Sequence, residues 1–127
     1  MLMNARTSQI VAKNVELADT RATRRKGLLG RDGLDAGAAL IIIPCFSVHT
    51  AFMRFPIDVL FVDRAGTVVK VVRNLEAWRI AGAWGSHAAI ELAAGAIPDG
   101  AVEAGDRLYL AAEAAPVGTV VSWPLPA

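Results

Sequence analysis

Short runs of β-branched and other apolar residues alternate along the chain with clusters of turn formers. These clusters are Gly30-Arg31-Asp32-Gly33, Asp63-Arg64-Ala65-Gly66, Gly82 to Gly85, Pro98-Asp99-Gly100, Gly105-Asp106 and Pro116 to Gly118. Their recurrence predicts a mainly β domain. Strands are expected at Ser8 to Leu17, Ala38 to Ile43, Ser47 to Met53, Ile57 to Val62, Thr67 to Arg73, Arg107 to Ala112 and Thr119 to Trp123. The run Ala38 to Ile43 is apolar throughout and too short for a helix, so it reads as a central strand buried on both faces. Pattern alone leaves Ala88 to Ala93 open between helix and strand. One short helix is expected at Arg21 to Leu29, capped by Asp19 or Thr20 and ended by Gly30 in a left-handed conformation. Asn74 to Ser86 reads as a loop carrying Trp78 and Trp84.

Composition narrows the class. The 127 residues are 54% hydrophobic with a net charge of +1, which excludes a disordered chain and fits a single domain over 1–127. A single cysteine excludes an internal disulfide. There are 24 alanines, so the core must come from Val, Ile, Leu, Phe and Trp. The longest uncharged run, Ala36 to Met53, is 18 residues and reaches the length of a membrane span. Pro44 near its middle would break a helix, so two strands with a bend at Pro44 are expected instead, and no membrane partner. The first residues lack the apolar region of a secretory signal, which sets the expectation of a cytoplasmic protein.

Charge is uneven. Residues 1–54 hold eight basic and four acidic groups, whereas 55–127 hold five and eight. Much of the basic excess lies at Arg21, Arg24, Arg25, Lys26 and Arg31. With no interleaved aromatic platform and a net charge near zero, this segment reads as a solvated face rather than a nucleic-acid site.

Candidate chemistry concentrates between Pro44 and Asp58. On a strand, Cys45, Ser47 and His49 share one face, and Val48, Thr50 and Phe52 the other. Polar groups in an apolar strand each need a partner. Cys45 and His49 stand about 13 Å apart on a straight strand and cannot form a dyad, so a thiol–imidazole pair would need His87. Cys45 is otherwise a small buried hydrophobe. His49 reads equally as a half-buried structural histidine or as a pocket residue. Cys45, His49, His87 and Asp58 lack the close pairing of a zinc site, so no metal and no cofactor is expected. Arg54 and Asp58 flank Pro56 as a local ion pair, or else Arg54 binds an anion. Trp78-Arg79 reads as a lid on the core or as a clamp on a planar or anionic ligand.

Several ordered stretches resemble the domain-of-unknown-function family 192. They are Arg24-Arg25-Lys26-Gly27-Leu28-Leu29-Gly30-Arg31, Ser47 to Phe61 with its core His49-Thr50-Ala51-Phe52-Met53-Arg54-Phe55-Pro56-Ile57-Asp58, Ala77-Trp78-Arg79, Ile90-Glu91-Leu92-Ala93-Ala94-Gly95 and Gly105-Asp106. The resemblance runs from about Gln9 to Leu110. Ala51 and Ala77 depart from its pattern, where an aromatic and a proline would be expected. It implies a distorted β-sandwich or barrel with short helices, and it makes Ala88 to Ala93 a strand. It brings no activity, and it marks His49, Thr50, Arg54, Asp58, Trp78, Arg79, Glu91, Gly95, Gly105 and Asp106 as positions to watch.

The leading functional expectation is a non-enzymatic module holding a small polar or anionic ligand. Its site would comprise Ser47, His49, Thr50, Arg54, Asp58, Trp78 and Arg79. One alternative is a hydrolase or transferase with Cys45 or Ser47 as nucleophile and His49 or His87 as base. Another is a protein-interaction domain using Arg21, Arg24, Arg25 and Lys26 against an acidic partner.

Overall fold

The computed structural model describes residues 1–112; the strand expected at 119–123 and the proline-rich end lie outside them. The fold is mainly β with one short helix, as expected. A mixed five-stranded sheet forms the centre, in the order β3 (Asn14–Ala18), β4 (Ala38–Ile42), β9 (Ala88–Ala93), β6 (Ile57–Val62) and β7 (Val68–Leu75). Only β3 and β4 are parallel, and the crossover between them contains α1 (Arg21–Lys26). A three-stranded sheet of β10 (Leu108–Leu110), β1 (Leu2–Asn4) and β2 (Gln9–Ala12) covers one face. A ribbon of β5 (Ser47–His49) and β8 (Ile80–Gly82) lies with α1 towards the other. The arrangement is sandwich-like, and no closed barrel forms among the described residues. Ala88 to Ala93 is a strand, as the family resemblance implied.

Alternation along β6 builds both halves of the core. Leu60 and Val62 join Leu2, Ile41, Ile90 and Leu108 on one side. Ile57, Val59 and Phe61 join Leu28, Leu40, Ile42 and Val48 on the other. All six residues of β6 are buried, and each large aliphatic side chain so placed contributes roughly 1.5–3 kcal/mol.

Several expected boundaries move. The strand expected at Ser8 to Leu17 is two strands in two sheets. The chain changes sheet at Lys13, where the N–H groups of Lys13 and Asn14 both donate to the Gly37 carbonyl at 2.8 and 3.0 Å. Strand β1 escaped the pattern because it has three residues. The helix is shorter than expected. Thr20 caps it, its hydroxyl accepting from Thr23 N while the Thr23 hydroxyl accepts from Thr20 N. It ends at Gly27 (φ +48°), one turn before Gly30. Residues 80–82, expected as loop, form β8. Among the described residues, no helix is long and apolar enough to cross a membrane.

A buried polar knot fixes the outer sheet. The Asp106 carboxylate accepts from Asn4 Nδ2 (2.8 Å), Arg6 Nε (2.7 Å), Arg6 Nη2 (3.1 Å) and Glu103 N (2.8 Å). Asn4 Nδ2 also donates to Ala101 O at 2.9 Å. The Arg6 guanidinium, with the other donors, holds the Asp106 carboxyl at about 2, below its ordinary 3.8. Because the folded value is depressed, this stabilisation is complete above pH 3.8 and is lost as pH falls towards 2. Asp106→Ala should cost roughly 2–4 kcal/mol in urea unfolding, and should flatten the acid limb of the stability profile between those values.

Candidate functional site

A cleft of about 590 Å³ opens between α1 and β5. Arg21, Arg24, Arg25 and Lys26 line it from the helix. Ser47, Val48 and His49 line it from β5, with Cys45 and Phe46 just before. Ser86 and His87 border it from the turn before β9, and Glu91 from β9 itself. Leu28, Ile42 and Met53 supply apolar wall. The helix has no acidic residue in its first turn, and among the described residues none of its four cations is in an ion pair. Arg24, half-buried, is held in place by an Nη1 bond to Asp19 O at 2.9 Å.

The ribbon end of the cleft is set by backbone. Strand β5 pairs Ser47 with Gly82, Val48 with Ala81 and His49 with Ile80. Val48 is buried, while Ser47 and His49 are exposed on the opposite face. A Cβ at Gly82 would stand 3.1 Å from Phe46 O and Ser47 Cβ, so glycine permits the close approach of the two strands. The expected strand Ser47 to Met53 stops at His49 because Thr50 closes a turn. Its N–H donates to Arg79 O, its carbonyl accepts from Met53 N and Trp78 N, and its hydroxyl donates to Glu76 O and accepts from Arg79 N. Thr50 is fully buried and its groups are committed to joining the two loops. Phe52 (φ +63°) and Trp78 (φ +64°) both take left-handed backbone in those loops and stack edge to face at 4.6 Å.

The expected site residues therefore separate. Ser47, His49 and Cys45 border the cleft. Thr50, Arg54, Asp58, Trp78 and Arg79 do not line it. Arg54 does not pair with Asp58; it bonds Asp32 at 2.6 Å on the surface. Asp58 is 1% exposed and serves the backbone, accepting from Asn74 N (2.8 Å) and Gly95 N (3.2 Å), with Arg73 at 4.0 Å. Trp78 is 62% exposed and so is no lid on the core, and Arg79 reaches only the Trp78 carbonyl at 3.5 Å. Trp84 is wholly exposed.

The chemistry of the cleft is uneven. Burial pushes the Cys45 thiol up, and its Sγ–H points to Ser47 O at 3.1 Å, so no thiol–imidazole pair forms with His87. The two residues meet through backbone, Cys45 N donating to His87 O. Burial, and then Arg64, push the His87 imidazole down towards its neutral form. Among the described residues no three His, Cys, Asp or Glu side chains gather to hold a metal.

The family resemblance marked Glu91 as a position to watch, but the expected ligand site did not include it. It is 5% exposed, between Leu40 and Val59 in the sheet, and its carboxyl accepts no hydrogen bond among the described residues. Burial raises it from 4.5 to about 7; Arg31, which offsets part of this, is itself bonded to Glu16 at 2.7 Å. The signal was present as one charge in the otherwise apolar run Ala88 to Ala93.

Two predictions follow from the two buried carboxylates of the central sheet. For Glu91 the folded value is raised, so its contribution is intact below pH 4.5 and is lost as pH climbs through about 7, a change of roughly 3 kcal/mol. Urea unfolding across this range should show that decline, and Glu91→Gln should abolish it and unfold at higher urea at pH 8. Asp58→Ala should act oppositely, costing roughly 2–4 kcal/mol by orphaning two backbone donors.

Two solved structures share the fold. One, a protein of unknown function from Novosphingobium aromaticivorans DSM 12444, is 24% identical with a TM-score of 0.68, covering 76% of this chain and 74% of that one. The other, described as a candidate transcription regulator from Sinorhizobium meliloti 1021, is 25% identical with a TM-score of 0.67, covering 74% of this chain and 78% of that one. No curated protein matches the chain. A family model described as "Uncharacterized ACR" matches residues 2–110, nearly the whole described fold, and the chain belongs to that family, domain-of-unknown-function family 192.

Proposed function

We propose that the domain is a non-enzymatic binding module that holds a small anionic ligand in the cleft between α1 and β5. The observation that carries this reading is the convergence of Arg21, Arg24, Arg25 and Lys26, without carboxylate partners among the described residues, on a concave surface with apolar walls. Such a surface suits a ligand with an anionic head and a short apolar body. Ser47 and His49 add hydrogen-bonding groups on the facing wall. The basic segment and the polar strip, separate candidates in the sequence, become two sides of one site. A nucleophilic role for Cys45 finds less support, because its thiol is held protonated and turned to a carbonyl. The Sinorhizobium neighbour is described as a candidate transcription regulator, which raises a nucleic-acid-binding surface as a second reading. A net charge of +1 and cations gathered around a cleft fit a small anion better.

Butyl phosphate is the direct probe. Titration followed by amide NMR shifts should show saturable changes at Gly27, Ser47, His49 and His87. Arg24→Ala combined with Arg25→Ala should weaken binding about ten-fold or more, equivalent to roughly 1.4 kcal/mol. Arg54→Ala and Arg79→Ala should leave it unchanged. Equal binding to all variants, or none to the native chain, would overturn the reading.

A further inference from the structure

Glu91 is the group in the cleft that the anion-binding reading does not use. Three carboxylates of this chain are at least nine-tenths buried in the described residues: Asp58, Asp106 and Glu91. The first accepts two backbone N–H groups, and the second accepts from Asn4, Arg6 and Glu103. Glu91 accepts nothing among the described residues, yet it alone of the three borders the cleft. The nearby polar groups have other commitments. The Ser86 hydroxyl is within bonding distance of Cys45 O (3.0 Å) and Ala88 O (3.1 Å), and the Cys45 thiol is turned to Ser47 O. Arg31 is bonded to Glu16. A carboxylate removed from water without a donor is costly, and a cationic donor entering the cleft would relieve that cost.

We propose that the ligand carries a second, positively charged hydrogen-bond donor, such as an ammonium group, which docks on Glu91 while the anionic end lies against α1. The ligand class is then a small zwitterion with an apolar spacer along Leu28 and Ile42. This rests on the anion-binding reading of the same cleft, and it narrows the ligand from anions at large to molecules with opposite charges at their two ends.

The test is a matched series: ω-aminoalkyl phosphates of two to six methylenes, each beside the alkyl phosphate of equal length. Calorimetric titration is run at pH 8 on the native chain and on Glu91→Gln. At the best spacer length the amino compound should bind the native chain at least ten-fold more tightly than its plain counterpart. Glu91→Gln should erase that advantage and still bind the plain alkyl phosphate. Its thermal unfolding, at or above the native midpoint, reports that the variant is folded. If the amino and plain compounds bind the native chain alike at every length, the zwitterion inference fails while the anion site stands. If the advantage persists in Glu91→Gln, the ammonium docks elsewhere and the inference fails. If neither series binds, the anion-binding reading fails, and this inference with it.

Discussion

Everything in this molecule depends on β6 and β9 being buried on both faces and paired on both edges. Strand β9 lies between β4 and β6, and β6 between β9 and β7. Two core clusters, one on each face, meet through these strands. In such a position backbone groups are satisfied by the ladders, and a polar side chain has little choice of partners. Only Asp58 and Glu91 break the apolar rule there. Asp58 lies near the strand end, where the irregularity of β7 at Asn74 and the turn at Gly95 each aim an N–H at it. Glu91 lies within the strand, flanked by Leu40 and Val59, where no turn can reach. The same residue class thus has opposite consequences one register position apart on paired strands. One carboxylate ties β7 and the turn after β9 to the strand, and the other lies where no donor of the described residues reaches it.

The cleft exists because the chain cannot cover the second face of the sheet as fully as the first. On the first face the cover is a three-stranded sheet, tied down by the Asn4–Asp106–Arg6 knot. On the other face the cover is a six-residue helix and a ribbon of two three-residue strands. Gly27 ends the helix so that Leu28, rather than a helical side chain, fills the core, and no helical residue is buried. The helix therefore adds nothing to the core, and its cations line the cleft. After Pro44 the chain leaves the sheet for the ribbon, and Thr50 stops the ribbon by locking two loops together. The gap between helix and ribbon is left open over Glu91.

Much of this was legible from residue pattern. Ala38 to Ile43 read as a buried strand because an apolar run that short has few other fates, and Ile57 to Val62 read as a strand from its β-branched and aromatic residues. The helix cap at Thr20 and the bend at Pro44 were local chemistry, and local chemistry is what a sequence carries best. The site was only partly legible. Ser47 and His49 stood out as polar positions in an apolar strand, and they border the cleft. Thr50, Arg54, Asp58, Trp78 and Arg79 stood out for similar reasons, but the structure uses Thr50 and Asp58 for hydrogen bonds over sequence separations of 16 to 37 residues. Pattern cannot show such partners. Nor could it join the basic helix to the polar strip, because the two meet only once β4 has placed them on one side of the sheet. The period-2 expectation for 47–53 failed at Thr50 because a committed hydroxyl and two left-handed residues outweighed strand propensity.

The two unsatisfied charges of the cleft constrain each other's interpretation. Cations on a short exposed helix are ordinary, since water screens them and each contributes little. A buried carboxylate by itself could simply take up a proton near neutrality and become inert. What is unusual is that both line one cleft and no ion pair joins them among the described residues. Ion pairing would be the default solution, and Arg31 shows that this chain can form such pairs, as it does with Glu16. The helical cations and Glu91 line the same cleft, and among the described residues no ion pair joins them. An anion alone would relieve the helix and add repulsion at Glu91, whereas a cation alone would do the reverse. A molecule with both charges relieves both walls at once, which makes the spacing between its charges, rather than its total charge, the quantity the cleft would select.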